Sequence, residues 1–139
     1  MSNRNHIMFV DDDEEDRFIM LEYFRESGNE SHIHFITNGQ EALDYLESIP
    51  EDGNLPRLIV LDLNMPILNG TQTLFQLKRS RRFKDIPVII FSTSENENEK
   101  RKCLSMGADD YLVKPASYNE GLKVVEKFTR FLEDVERNS

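Results

Sequence analysis

Leu58-Ile-Val-Leu-Asp-Leu-Asn-Met-Pro-Ile-Leu-Asn-Gly70 is the stretch whose reading decides the fold. Four apolar residues run straight into Asp62, so the segment reads as a buried strand with a carboxylate at its carboxyl end. Burying an unpaired charge is costly, and a carboxylate placed there has a chemical task. Working outward, Ile7-Met-Phe-Val10 is a second apolar strand, and it ends in Asp11, Asp12 and Asp13. Pro87-Val-Ile-Ile-Phe91 runs into Ser92, Thr93 and Ser94, and Tyr111-Leu-Val113 runs into Lys114-Pro115.

Short apolar runs alternate with amphipathic stretches five times, which predicts parallel strands joined by helical crossovers, an α/β domain. Strands are expected near 6–11, 33–37, 58–62, 86–92 and 110–113. In such a sheet ligands bind at the carboxyl edge, beside the point where strand order reverses, so the acids converge there. Three carboxylates in one cleft repel one another, and a divalent cation relieves that repulsion. An all-oxygen site suits magnesium better than zinc. Asp62 can then act as a nucleophile toward phosphorus, with the metal neutralising phosphoryl oxygens. The hydroxyls and the Lys114 ammonium at the same edge suit phosphoryl oxygens as well.

The helices follow from period and caps. The first is expected from Glu14 to Ser27 with Phe18, Leu21 and Phe24 on one face and Gly28 as a left-handed stop; the acids from Asp13 to Asp16 surround its start. The second carries Ala42, Leu43, Leu46 and Ile49 and ends before Pro50; the third has Leu74 and Leu77. The fourth is expected from Glu95 to Met106, capped by Thr93 or Ser94 and stopped at Gly107. The fifth, Tyr118 to Arg137, has two apolar stripes: Leu122, Val125, Thr129, Leu132, and Val124, Phe128, Phe131, Val135. One stripe suffices to dock a helix on a sheet. The second is either a wide buried face or a self-association or partner surface.

A chain of 139 residues fits one domain, expected over 5–137, with no separate output module. Its 26 acids against 17 bases give a net charge of −9, which opposes nucleic-acid binding through phosphate neutralisation. Cys103 is the only cysteine, so no intramolecular disulfide forms, and it reads as a small apolar helix residue. No apolar run approaches the roughly 20 residues that span a bilayer, and Met1 to Asn5 lacks a signal-peptide pattern. A cytoplasmic location is expected. His6, His32 and His34 fall at strand starts, away from the acids, and Lys78 to Arg82 is a basic helix end or a docking patch.

The ordered set of acid pair, acid, hydroxyl and lysine, with Met65-Pro66, Gly70 and Lys114-Pro115, resembles the receiver domain of two-component response regulators over nearly the whole chain. The resemblance implies a doubly wound five-stranded flavodoxin-like sheet of order 2-1-3-4-5 with helices on both faces. It implies Asp62 as phosphoacceptor, Asp12 as a direct magnesium ligand, Asp11 as an indirect one and Asn64 as a ligand through its carbonyl. Ser92 matches the switch hydroxyl, Tyr111 the rotameric aromatic and Lys114 the lysine that faces the acyl phosphate. The family's bond at Lys114-Pro115 is cis, which essentially requires proline. Ser92 stands where threonine is commoner, and Thr93 where a smaller residue is common.

The resemblance makes a sensor histidine kinase the phosphoryl donor and an unknown downstream protein the target. Phosphorylation would draw Ser92 inward and let Tyr111 bury, reshaping the face of the fourth helix, fifth strand and fifth helix. A homodimer through that face, using Val124, Phe128, Phe131 and Val135, is one expected outcome. The long connections 51–58 and 79–87 and the Ser-Thr-Ser run resemble single-domain regulators that partner bacterial phytochromes. A haloacid-dehalogenase-type phosphatase also uses a strand-end aspartate with magnesium, but needs a second acid two residues on, where this chain has Asn64. A binding-only pseudo-receiver would lack part of the acid, hydroxyl and lysine set, and none is missing.

Overall fold

The computed structural model describes residues 7–137, with side chains up to Glu133. Five parallel strands, β1 (Ile7–Val10), β2 (Ile33–Ile36), β3 (Leu58–Asp62), β4 (Val88–Ser92) and β5 (Asp110–Val113), pair in the order β2-β1-β3-β4-β5. Between them run α1 (Glu14–Glu26), α2 (Gly39–Ser48), α3 (Gly70–Arg79) and α4 (Glu97–Ser105), and α5 (Tyr118–Arg137) follows β5. This is the expected doubly wound α/β sheet.

Strand residues alternate between two cores, because successive side chains point to opposite faces of a sheet. Ile7, Phe9, Leu58, Val60, Ile89 and Phe91 pack with Met20 and Phe24 of α1 and Val125, Phe128 and Leu132 of α5. Met8, Val10, Ile59, Leu61, Val88 and Ile90 pack with Ala42 and Leu46 of α2, Leu74 and Leu77 of α3, and Cys103 of α4. With both faces covered, the strands read as continuous apolar runs, which is why they are so plain in the sequence.

Helix starts follow local chemistry. Asp13 caps α1 by accepting from the backbone N–H groups of Glu15 and Asp16, and Gly28 ends it at φ 77°. Asn69 and Gln72 form a reciprocal capping box on α3. Gly70 has a different reason: a Cβ there would lie 2.4 Å from the carbonyl oxygen of Asp62 and 2.7 Å from Leu63 Cα. Only glycine lets α3 start this close to the end of β3.

Several expectations are corrected. Helix α4 begins at Glu97 and is capped by Asn96, not by Thr93 or Ser94; the Ser94 hydroxyl instead accepts from Asn96 N–H in the loop before it. Helix α1 presents Met20 and Phe24 to the core, with Leu21 and Tyr23 at its margin, and leaves Phe18 62% exposed. Strand β4 starts at Val88 rather than at residue 86, since Ile86 lies in the preceding turn and Pro87 has no N–H to donate to the ladder. The second stripe of α5 is not an outer stripe. Phe128 is 0% exposed and meets the Phe91 ring edge-on, while Val124 and Phe131 are partly buried beside it, so a wide buried face is what the helix presents. The side chain of Val135 lies outside the described residues, as do Asn5 and His6.

The bond between Lys114 and Pro115 is trans, as are all peptide bonds among the described residues, so the expected cis bond is not present. Trans is the lower-energy form by about 0.5–1 kcal/mol before proline, and the Lys114 side chain reaches its carboxylates without the isomer. Of the basic run 78–82, Lys78, Arg79 and Arg82 are spent on structure. Lys78 Nζ donates to the carbonyls of Lys84 and Ile86, Arg82 donates to those of Ile49 and Pro50, and the Arg79 guanidinium lies over the Phe75 ring. His34 stacks on Tyr45 at the opposite end of the sheet from the acids.

Candidate functional site

Chain order reverses between β1 and β3: the chain leaves β1 for β2 on one side and returns to β3 on the other. The carboxyl ends of these two neighbouring strands are where Asp11 and Asp62 stand. Three carboxylates, Asp11, Asp12 and Asp62, present oxygens within 4.8 Å of one another, with Asp11 and Asp62 buried and Asp12 exposed. Those are the acids that the two apolar runs pointed to.

Lys114, at the end of the far strand β5, reaches back across the edge into this cluster. Its Nζ lies 2.9 Å from Asp11 Oδ2, 2.8 Å from Asp16 Oδ2 and 3.4 Å from Asp62 Oδ1. Asp11 Oδ1 accepts from the N–H of Asp13, and the Arg17 guanidinium donates to the Asp11 carbonyl at 2.7 Å, which fixes the turn out of β1. Asp16 and Arg17 are thus part of the site's frame. In the sequence Asp16 reads only as one more acid at a helix start; that it faces Lys114 follows from packing between residues nearly a hundred positions apart.

Burial and the neighbouring Asp11 carboxylate push Asp62 up to about 6, against the pull of Lys114. Burial also raises Asp11 above the usual carboxylate range. Burial alone would lower Lys114, but its bonds to Asp16 and Asp11 carry the ammonium well above its ordinary value. Two cations, Lys114 and Arg17, among the four acids Asp11, Asp12, Asp16 and Asp62 leave net negative charge in the cleft. The donors there are all oxygens, so the cluster suits a hard divalent cation of the magnesium, manganese or calcium type. Asn64, two residues beyond Asp62, is exposed in the loop, and its backbone N–H donates to Asp62.

On the other side of Asp62, Ser92 ends β4 and is fully buried. Its hydroxyl accepts from Ser94 N–H at 3.1 Å and points its proton toward Glu99 Oε1, 3.5 Å away. Tyr111 is buried too, contrary to the expectation that it buries only with phosphorylation. Its hydroxyl donates to the carbonyl of Ser94 at 2.9 Å and to Glu99 Oε1. Glu99 gave no signal in the sequence, being one of several acids on a polar helix. Thr93 is exposed, so its side chain stands at the rim rather than in the wall. Ile67, in the same loop as Asn64, is 77% exposed and holds a left-handed backbone at φ 69°.

A family model described as the response regulator receiver domain matches residues 7–126. The chain is 32% identical over 126 residues to the probable methanogenesis regulatory protein FilR2 of Methanothrix harundinacea, an alignment covering 90% of this chain and 81% of that one. It is 29% identical to the response regulator Rcp1 of Synechocystis, covering 90% and 86%. The manganese-bound structure of Rcp1 superposes with a TM-score of 0.77 over 91% of this chain and 92% of that one, at 27% identity. The phosphorylated cyanobacterial phytochrome response regulator RcpA superposes with a TM-score of 0.78 at 28% identity, covering 91% and 93%.

Proposed function

Because the chain belongs to the response regulator receiver domain family, we propose that it accepts a phosphoryl group on Asp62 from a phosphohistidine of a sensor kinase and signals through a changed protein-binding surface. The observation that carries this reading is the Lys114 ammonium held among Asp11, Asp16 and Asp62 at the switch point of the sheet. In the transfer, an Asp62 carboxylate oxygen forms the bond to phosphorus while the phosphorus–nitrogen bond to the donor imidazole breaks, its electron pair staying on the leaving nitrogen. The product is an acyl phosphate, which water later hydrolyses.

A divalent cation held by Asp12, Asp62 and the Asn64 carbonyl, with Asp11 an indirect partner, would neutralise charge on the phosphoryl oxygens, and magnesium is the proposed ion. Support comes from the oxygen-only cluster and from the manganese-bound relative. Asp62 is the nucleophile because it is the acid at the centre of the cluster, with Lys114 on one side and the Ser92 hydroxyl at the next strand end. Lys114 supplies a fixed positive charge to a phosphoryl oxygen, and Ser92 supplies a proton to another. The phosphohistidine donor follows from the family. A phytochrome-class kinase is the narrower proposal, supported by relatives whose own structures are of phytochrome response regulators. The cytoplasm is the proposed compartment, in keeping with a buried lone thiol; among the described residues no helix is long and apolar enough to cross a membrane.

Incubation with acetyl phosphate and magnesium tests the reading. Intact mass is expected to rise by one phosphoryl group in the wild type and to stay unchanged in Asp62→Asn. Equal labelling of that variant would overturn the assignment.

A further inference from the structure

Resting on that reading, we infer that Glu99 is a positioning residue that competes with the incoming phosphoryl oxygen for the proton of Ser92. Ser92 and Glu99 belong to different elements. The alternation of β4 turns Ser92, like Val88 and Ile90, toward the face covered by α4, and Glu99 lies in the first turn of that helix. Asn96 accepts from Glu99 N–H and so fixes where the glutamate's backbone stands. The carboxylate itself is fixed by Tyr111, whose hydroxyl donates to the same Oε1 that Ser92 faces.

A serine hydroxyl has one proton to give. Its second contact, from Ser94 N–H, occupies a lone pair and leaves that proton for an acceptor. Two acceptors are within reach, the Tyr111 hydroxyl oxygen and the anionic Glu99 Oε1 at 3.5 Å, a long hydrogen bond that gains from the charge. When Asp62 carries a phosphoryl group, Ser92 can donate to it only by turning its proton away from Glu99 and Tyr111. The interaction with Glu99 is therefore subtracted from the affinity for a tetrahedral anion at Asp62. Tyr111, itself hydrogen-bonded to Ser92, holds Glu99 in register, so that the competitor stays in place.

Beryllofluoride in magnesium, which builds a phosphoryl-like group on the aspartate, tests the competition in a double-mutant cycle read by calorimetric titration. Removing a long charge-assisted hydrogen bond is expected to tighten beryllofluoride binding by about 3- to 10-fold in Glu99→Ala. The shape-preserving Glu99→Gln, a neutral and weaker acceptor, is expected to fall between it and the wild type. In a Ser92→Ala background the Glu99→Ala change is expected to do nothing. Unchanged or weaker binding in both Glu99 variants overturns the inference, and so does an equal gain in the Ser92→Ala background. Wild-type protein that neither binds beryllofluoride nor gains a phosphoryl group from acetyl phosphate sinks the phosphoacceptor reading itself. Wild-type binding with an inert Glu99 sinks only the competition.

Discussion

Asp62 is 6% exposed and shares its cleft with Asp11, so ionising it works against folding. A carboxyl raised from 3.8 to about 6 binds its proton more tightly in the folded chain than in the unfolded one. The stability it contributes is therefore fully present below the unfolded value and is lost as pH rises through about 6. Asp62→Asn removes the charge. In metal-free buffer the variant is expected to match the wild type near pH 4 and to exceed it above pH 6, the gap between 3.8 and about 6 being worth about 3 kcal/mol at ~1.4 kcal/mol per pH unit. Urea midpoints across this pH range check it, and a variant less stable at neutral pH would show that Asp62 is structural. Ile67 is a second local cost: a β-branched residue in the left-handed region loses about 1–2 kcal/mol. Ile67→Asn, which tolerates that conformation, is expected to stabilise the fold by about 1 kcal/mol in the same assay.

At the scale of elements, the site depends on how closely helices approach strand ends. Gly70→Ala places a methyl group against the backbone of Asp62 and Leu63, where no rotamer change relieves the overlap. The expected cost is about 1–3 kcal/mol in stability, with a larger proportional loss in labelling by acetyl phosphate because Asp62 itself must shift. Helix α5 makes the opposite point. Phe128 packs edge-on against Phe91 in the core, so Phe128→Ala is expected to cost about 3–5 kcal/mol, whereas an outward stripe residue would cost almost nothing. Thermal melts with the two variants side by side decide both.

For the whole molecule, the large apolar side chains that the α4–β5–α5 face leaves in water among the described residues are Leu104 and Val113, 39% and 40% exposed, rather than the phenylalanines of α5. If phosphorylation drives this chain to pair with a second copy, those residues carry the contact. Sedimentation at micromolar protein with beryllofluoride and magnesium is expected to show a dimer that Val113→Glu abolishes and that the metal-free protein does not form. Magnesium alone is expected to raise the melting temperature of the wild type, because a ligand bound only by the folded state stabilises it, and to leave Asp12→Ala unmoved.

The sequence by itself determined the sheet, its parallel strands and the acids at their ends. Strands buried on both faces must be apolar throughout, so Leu58–Leu61 or Ile7–Val10 announce themselves, and the first polar residue after each is where the edge lies. Lys114 was legible for the same reason. What only the tertiary structure decided is which polar groups meet across elements. Asp16 and Glu99 sit in helix turns full of acids, and nothing in spacing separates the one that faces a lysine or a serine from those that face water. The same holds for α5, where two apolar stripes became one wide buried face over Val124 to Leu132 once Phe91 offered Phe128 a partner. A local pattern fixes the face that a residue is on; the width of the core beneath that face, and the charge waiting there, are set by segments far away in the chain.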